Sequence, residues 1–352
     1  VIEYPSMENA KRRIRPAYNV LQGRSLKHMD FSLLFIVLAL ICLGLISLFS
    51  ASSIYAANKG LDSLFYVKRQ ALWMFLGLGL AALIARLDLE RARKFIKPAV
   101  ILILLLLAAV LFMPPIAHVR RWIPLGFVRL QPSEFAKVIL ALYLADFFDR
   151  RHSRIMADWR ELAKPLTVMG AMLVLIALEP DLGTPSLMFG AALFIFFAAG
   201  VKLRYILVPL TVVIPAFIFD LLRHPYRIAR LKSFLSPWQD ASGSGYQLVQ
   251  SLLAVGSGGW IGKGLGASQL KLMYLPEPHT DFIFPVIAEE MGFAGSALIV
   301  ALFLALLVKG ARIARNARSL YTSLAALGLT LLITLQAFFN MAMATGLIPT
   351  KG

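Results

Sequence analysis

Asp281 stands where a polar, proline-rich run meets a long apolar stretch, in Leu275-Pro276-Glu277-Pro278-His279-Thr280-Asp281-Phe282-Ile283-Phe284. A carboxylate at the edge of a membrane helix is costly to place and reads as functional; as a general base it would take the proton of an attacking hydroxyl. His279, two residues earlier, is a candidate substrate contact. The competing reading is a helix N-cap, because Asp281 begins an apolar helix, although Thr280 could cap equally well. A second acid pair, Glu289 and Glu290, lies roughly 12–14 Å deeper along that helix. Its simplest reading is a buried polar network with neighbouring helices.

Three further groups could serve the same chemistry. Arg120, Arg121 and Arg129 carry guanidinium forks that match phosphate oxygens, or they snorkel to ordinary lipid headgroups. Glu134 and Lys137 are three apart behind Pro132 and Ser133, a plausible helix start, so they share a face and can pair. That pair is either a ligand contact or an internal ion pair. Glu179 and Asp181, in Glu179-Pro180-Asp181-Leu182-Gly183-Thr184, are either polar site residues or caps of the helix that follows.

The elements that position these residues are membrane helices. Apolar residues make up 59% of the 352, above the ~45–50% of soluble domains, and the mean hydropathy is +0.74. Near-continuous apolar runs predict an all-α polytopic membrane protein with nine spans, near 31–50, 70–86, 98–114, 133–149, 165–179, 183–200, 203–222, 281–308 and 320–346. Backbone polar groups in lipid must be satisfied within the segment, which selects helices, and no alternating strands of barrel type occur. The fourth span is the weakest, since it contains Glu134, Lys137 and Asp146.

Placing residues 1–30, a basic tail, on the cytoplasmic side puts more than half of the 36 Lys and Arg on that side, as the positive-inside rule requires. The net charge of +17 is then a topology and anionic-lipid signal. Nucleic-acid binding is excluded, because the basic residues are dispersed among short loops. The single cysteine, Cys42, allows neither a disulfide nor a thiolate metal site. No cleavable signal peptide and no internal repeat is read. Residues 31–352 are expected to form one transmembrane domain.

This orientation makes residues 223–280 an external loop, far longer than ordinary connections. Trp238, Tyr246, Trp260 and Tyr274 argue that it is ordered, and Leu248 to Val255 could form a short helix. Arg120, Arg121 and Arg129 also fall outside, against the charge bias, which favours an anionic ligand. Gly262-Lys263-Gly264-Leu265-Gly266-Ala267 fits a dinucleotide fingerprint, but no strand precedes it as a βαβ unit requires. Its glycines are expected to supply tight turns and close backbone approach.

An external carboxylate at the membrane edge, with cations nearby and an ordered loop, suits glycosyl transfer from a lipid-linked diphosphate. Arg120-Arg121-Trp122-Ile123-Pro124-Leu125-Gly126, Gln131-Pro132-Ser133-Glu134, Glu179 to Thr184, Gly245-Tyr246-Gln247 and Leu275 to Phe284 together resemble the SEDS glycosyltransferases, over nearly the whole length after the tail. Ser50-Ala51-Ser52-Ser53 and Pro349-Thr350-Lys351-Gly352 are more similar to the division branch of that family than to its elongation branch.

The resemblance implies a SEDS-type helical bundle that polymerises peptidoglycan from lipid II at the outer face of the bacterial cytoplasmic membrane, at the division septum. It implies Asp281 as the base for the acceptor GlcNAc 4-hydroxyl, with inversion and loss of undecaprenyl diphosphate. Trp122, Arg120, Arg121, Glu134, Lys137, His279 and Asp181 are the implied substrate-binding residues. A divalent cation, Mg2+ or Mn2+, is implied by the family alone; its ligands are not legible. The implied partners are the phospholipid membrane, the class B penicillin-binding protein FtsI, and FtsQ, FtsL and FtsB. The family has a tenth span, and the chain opens at Val1 and stops at Gly352, so truncation is expected at both ends. A lipid II flippase, working through the deep polar residues, a non-catalytic divisome scaffold and a different lipid-linked glycan polymerase are the alternatives.

Overall fold

The computed structural model describes residues 30–115, 119–126, 129–179, 181, 183–223, 225–243, 245–270 and 281–349. His279, the rest of 271–280, the tail up to residue 29 and residues 350–352 lie outside the described residues. Twelve α-helices run in the order α1 (Phe31–Asn58), α2 (Phe65–Arg86), α3 (Leu89–Ala92), α4 (Ile96–Val110), α5 (Pro132–Ala157), α6 (Ala163–Ala177), α7 (Gly183–Ala198), α8 (Leu203–Arg223), α9 (Pro225–Leu235), α10 (Tyr246–Ser257), α11 (Ile283–Arg315) and α12 (Leu320–Ala344). Among the described residues one two-residue antiparallel ribbon, β1 (Ile123–Pro124) with β2 (Arg129–Leu130), stands beside the helices.

Local chemistry sets the helix starts. Asp30 caps α1, its Oδ1 accepting from the amides of Ser32 at 3.0 Å and Leu33 at 3.1 Å. Pro132 opens α5, where the missing amide hydrogen has no helical partner to lose. Ser319 and Thr322 form a reciprocal capping box on α12, satisfying two otherwise orphaned amides.

All nine predicted spans fall on helices. Among the described residues four of these helices, α1, α2, α11 and α12, are long and apolar enough to cross a bilayer; α7 is apolar but shorter. Helices α4, α6 and α7 have only 15, 15 and 16 residues, and α5 carries several charges. Helix α2 buries none of its residues, and Leu72, Phe75, Leu76, Leu80, Leu83 and Ile84 stand exposed on it. A face of that size would drive association in water; against lipid tails it is matched, so the chain is an integral membrane protein.

The main core lies where α4, α5, α6, α7 and α12 meet, through Ile103, Leu107, Leu144, Phe148, Met172, Ile195, Phe196 and Leu324. Phe148 and Phe196 pack edge to face with centroids 5.0 Å apart. Small residues let helices approach: a side chain at Gly310 would overlap Thr330 of α12, and one at Gly328 would press on Ile195 and Ala141.

The end of the bundle remote from Asp281 is tied by charge. Arg93 donates to Asp146 and Asp149, both at 2.7 Å, and to Glu90 at 2.9 Å, and its guanidinium lies 4.5 Å from the Tyr321 ring centre. Asp149 also accepts from the Tyr321 amide, and Ser319 donates to Glu90. Asp146, the acid that made the fourth span look weak, is therefore paired, with Arg93 and with Arg150 at 2.8 Å.

Candidate functional site

Asp281 is exposed immediately ahead of α11. The cap position of α11 is Phe282, with no side-chain cap bond among the described residues, so Asp281 does not take the N-cap position that was its competing reading. Phe282 is buried in a cluster with Ala51, Ala254, Leu270, Val286 and Met343, and this fixes the backbone next to the acid.

Helix α11 is broken nine residues after it starts. Gly292 has φ 65° and ψ −161°, a conformation open essentially to glycine alone. The loop after α10 enters the break. The amides of Lys263 and Gly264 donate to the carbonyls of Glu289 and Glu290, both at 3.0 Å. The amides of Phe293 and Ala294 donate to the carbonyls of Gly259 at 2.9 Å and Trp260 at 3.1 Å. Backbone groups freed by the break are thus satisfied by the loop. The approach requires glycine: a Cβ on Gly258 would strike the Ala288 carbonyl, one on Gly262 the Glu290 carbonyl, and one on Gly292 the Gly262 amide. Gly262, Gly264 and Gly266 all have positive φ, so the run that mimics a dinucleotide fingerprint is indeed a set of tight turns.

Both acids behind the break are buried and bonded. Glu289 accepts from Lys263 Nζ at 2.7 Å, Ser268 Oγ at 2.6 Å and the amides of Gln269 at 3.1 Å and Leu270 at 3.5 Å. Glu290 accepts from Ser50 Oγ of α1 at 2.6 Å and the Ser268 amide at 3.3 Å. The acid pair was read as a network with helices; most of its partners instead come from the loop. Lys263 and Ser268 were missed as members, although a lysine inside a glycine run close to a buried acid pair was the available signal.

A second group forms around Arg121. Its Nε donates to the Glu179 carbonyl at 3.1 Å, and its guanidinium lies 3.9 Å from Asp181. Asp181 accepts from the amide and hydroxyl of Thr184 at 3.1 and 2.8 Å, the capping role read as its alternative. Glu179 sits beyond the end of α6, fully buried, and neither carboxylate oxygen has a hydrogen-bond partner among the described residues. Burial, reinforced by the nearby Asp181 charge and opposed by Arg121, pushes its pKa up to about 8.

The remaining predicted residues lie near these elements. Arg120 donates to the Leu111 carbonyl at the end of α4, 3.0 Å away, and Trp122, two residues on, is half-buried. Glu134 and Lys137 pair at 2.8 Å as their spacing predicts, and the buried Lys137 also donates to Gln336 of α12 at 2.7 Å. Asp281 belongs to neither group of ion pairs. Among the described residues there is no cluster of three or more His, Cys, Asp or Glu able to hold a metal ion. No step is assigned to a metal ion.

A bundle of apolar helices with a broken helix, an exposed acid at its front and arginines bound to interhelical turns defines a membrane-embedded protein with polar chemistry at one end. Residues 31–352 match the family model of the cell cycle proteins FtsW, RodA and SpoVE. The chain belongs to this family. It is 40% identical to stage V sporulation protein E of Bacillus subtilis (strain 168) over 92% of this chain and 89% of that protein. It is 36% identical to a probable peptidoglycan glycosyltransferase FtsW of Geobacter metallireducens over 94% and 89%. Among solved structures it superimposes with TM-score 0.77 and 28% identity on a chain of a peptidoglycan synthase complex that coordinates polymerization and crosslinking, covering 92% of this chain and 90% of that one. For the rod shape determining protein RodA of Thermus thermophilus the TM-score is 0.65 at 28% identity, over 90% and 85%.

Proposed function

We propose that this chain, a peptidoglycan glycosyltransferase, extends septal glycan strands from lipid II at the outer face of the cytoplasmic membrane, with Asp281 as general base. The observation that carries the assignment is the exposure of Asp281 at the front of α11, where it caps no helix amide among the described residues. The acceptor GlcNAc 4-hydroxyl gives its proton to Asp281 as its oxygen bonds to the anomeric carbon of the donor. The bond from that carbon to the diphosphate breaks, and undecaprenyl diphosphate leaves. An α donor linkage becomes a β-1,4 product, as direct attack demands. Arg120 and Arg121 are proposed to meet the diphosphate through their guanidinium groups, and Trp122 and His279 to contact sugar. Glu134, Lys137 and Asp181 would line the polar side of the substrate space.

The topology that suits this reaction has nine spans in residues 31–346, an inside N-terminus and residues 223–280 outside. The charge distribution supports it. A class B penicillin-binding protein, FtsI, is the proposed cross-linking partner, in keeping with the synthase complex among the solved structures; FtsQ, FtsL and FtsB are proposed from the division branch.

The test is strand synthesis from purified lipid II in detergent micelles, with the cross-linking site of the class B partner inactivated. Micelles present no bilayer to cross, so a transporter yields nothing while a polymerase makes long strands. No product from an intact complex would contradict the reading.

A further inference from the structure

Residues 271–280 join two anchored ends. At one end Leu270 gives its amide to Glu289 and its side chain to the apolar cluster. At the other, Phe282 enters that same cluster directly after Asp281. The front piece of α11, from Ile283 to the break at Gly292, is held by the loop bonded into the break as well as by its own helix. We infer that Glu289 and Glu290 are positioning residues for Asp281, gathering the segment Lys263–Leu270 so that the carboxylate ahead of α11 takes one fixed place.

The pattern of donors favours this over simple stabilisation of the bundle. Among the described residues every hydrogen bond to Glu289 comes from the run Ser257–Leu270, which leads toward Asp281, and none comes from another membrane helix. Glu290 then fastens the assembly to the bundle through Ser50 of α1, while accepting from the same Ser268 that serves Glu289. Neither acid touches Asp281, so each acts through the loop and Phe282. A base held about 1 Å from its productive place loses on the order of 100-fold in rate.

The inference rests on the reading of Asp281 as the base, and the experiment separates the two. Polymerisation kinetics on purified lipid II are measured for the complex carrying Glu289→Gln, Ser268→Ala or Asp281→Asn, with melting temperature and amide exchange over residues 263–291 recorded on the same samples. Ser268→Ala is the milder change and serves if Glu289→Gln does not fold. Positioning predicts that kcat falls roughly 10- to 100-fold while KM for lipid II stays within about 2-fold, with faster exchange confined to 263–291. Wild-type kcat in both Glu289→Gln and Ser268→Ala, beside an inactive Asp281→Asn, overturns the positioning role and leaves the base in place. A loss of activity that only tracks loss of folded protein, with full kcat per folded molecule, also overturns it. Activity in Asp281→Asn overturns the functional reading and the positioning role together.

Discussion

Gly292→Ala tests whether the break in α11 is built or incidental. At φ 65° and ψ −161° any residue with a Cβ is strained by roughly 1–3 kcal/mol. The new methyl would also meet the backbone of Ile261 and the Gly262 amide, which cannot move aside as a flexible side chain does. Relief requires the loop to retreat, and with it go the four backbone bonds that join Gly259, Trp260, Lys263 and Gly264 to α11. At about 1 kcal/mol net each these sum to about 4 kcal/mol, so the total is about 5–7 kcal/mol if the loop detaches. Hydrogen exchange by mass spectrometry reads the loss directly. Detachment at about 4 kcal/mol corresponds to a roughly 1,000-fold gain in exchange at residues 259–264 and 289–294. Gly77→Ala on α2, where a Cβ meets nothing within 4 Å, is the control; it should be neutral or slightly stabilising. Wild-type exchange and melting temperature in Gly292→Ala would refute the account of the break.

Two further outcomes concern charge. Glu179 keeps its proton in the folded protein up to about pH 8 and loses it near its ordinary 4.5 when unfolded. Unfolding between those values releases a proton, so this group's contribution to stability falls as pH rises through that window and levels off above it. Glu179→Gln should flatten that slope in melting temperatures taken from pH 5 to pH 8.5, and an unchanged slope would place the titration elsewhere. Arg93→Met leaves the buried Asp146 with Arg150 alone and should destabilise the remote end by about 3 kcal/mol. Adding Asp146→Asn should recover part of the loss in melting temperature, and failure to recover would show that the arginine acts through packing on Tyr321 instead.

What could be read from the sequence was local. Apolar runs marked the helices, the i,i+3 spacing of Glu134 and Lys137 announced their pair, and the acid in the Glu179–Thr184 turn announced a cap. Leu248–Val255 fell inside α10. The unread features depend on partners distant in the chain. Ser50 meets Glu290 across 240 positions and Arg93 meets Asp146 across 53, separations that no periodicity encodes. The break at Gly292 was hidden because a single glycine in an apolar run also fits an unbroken helix, and only the arriving loop explains it. The two-residue ribbon at Ile123–Leu130 is too short for an alternating pattern. His279 lies outside the described residues, so its part in the site rests on its place in the sequence.

The central claim is that Asp281 takes the proton from the attacking hydroxyl. It is tested most directly by comparing wild type and Asp281→Asn in lipid II polymerisation, at equal melting temperature and equal retention of the class B partner. The account predicts long strands from wild type and none above background from the variant; strands of equal length and rate from both would contradict it.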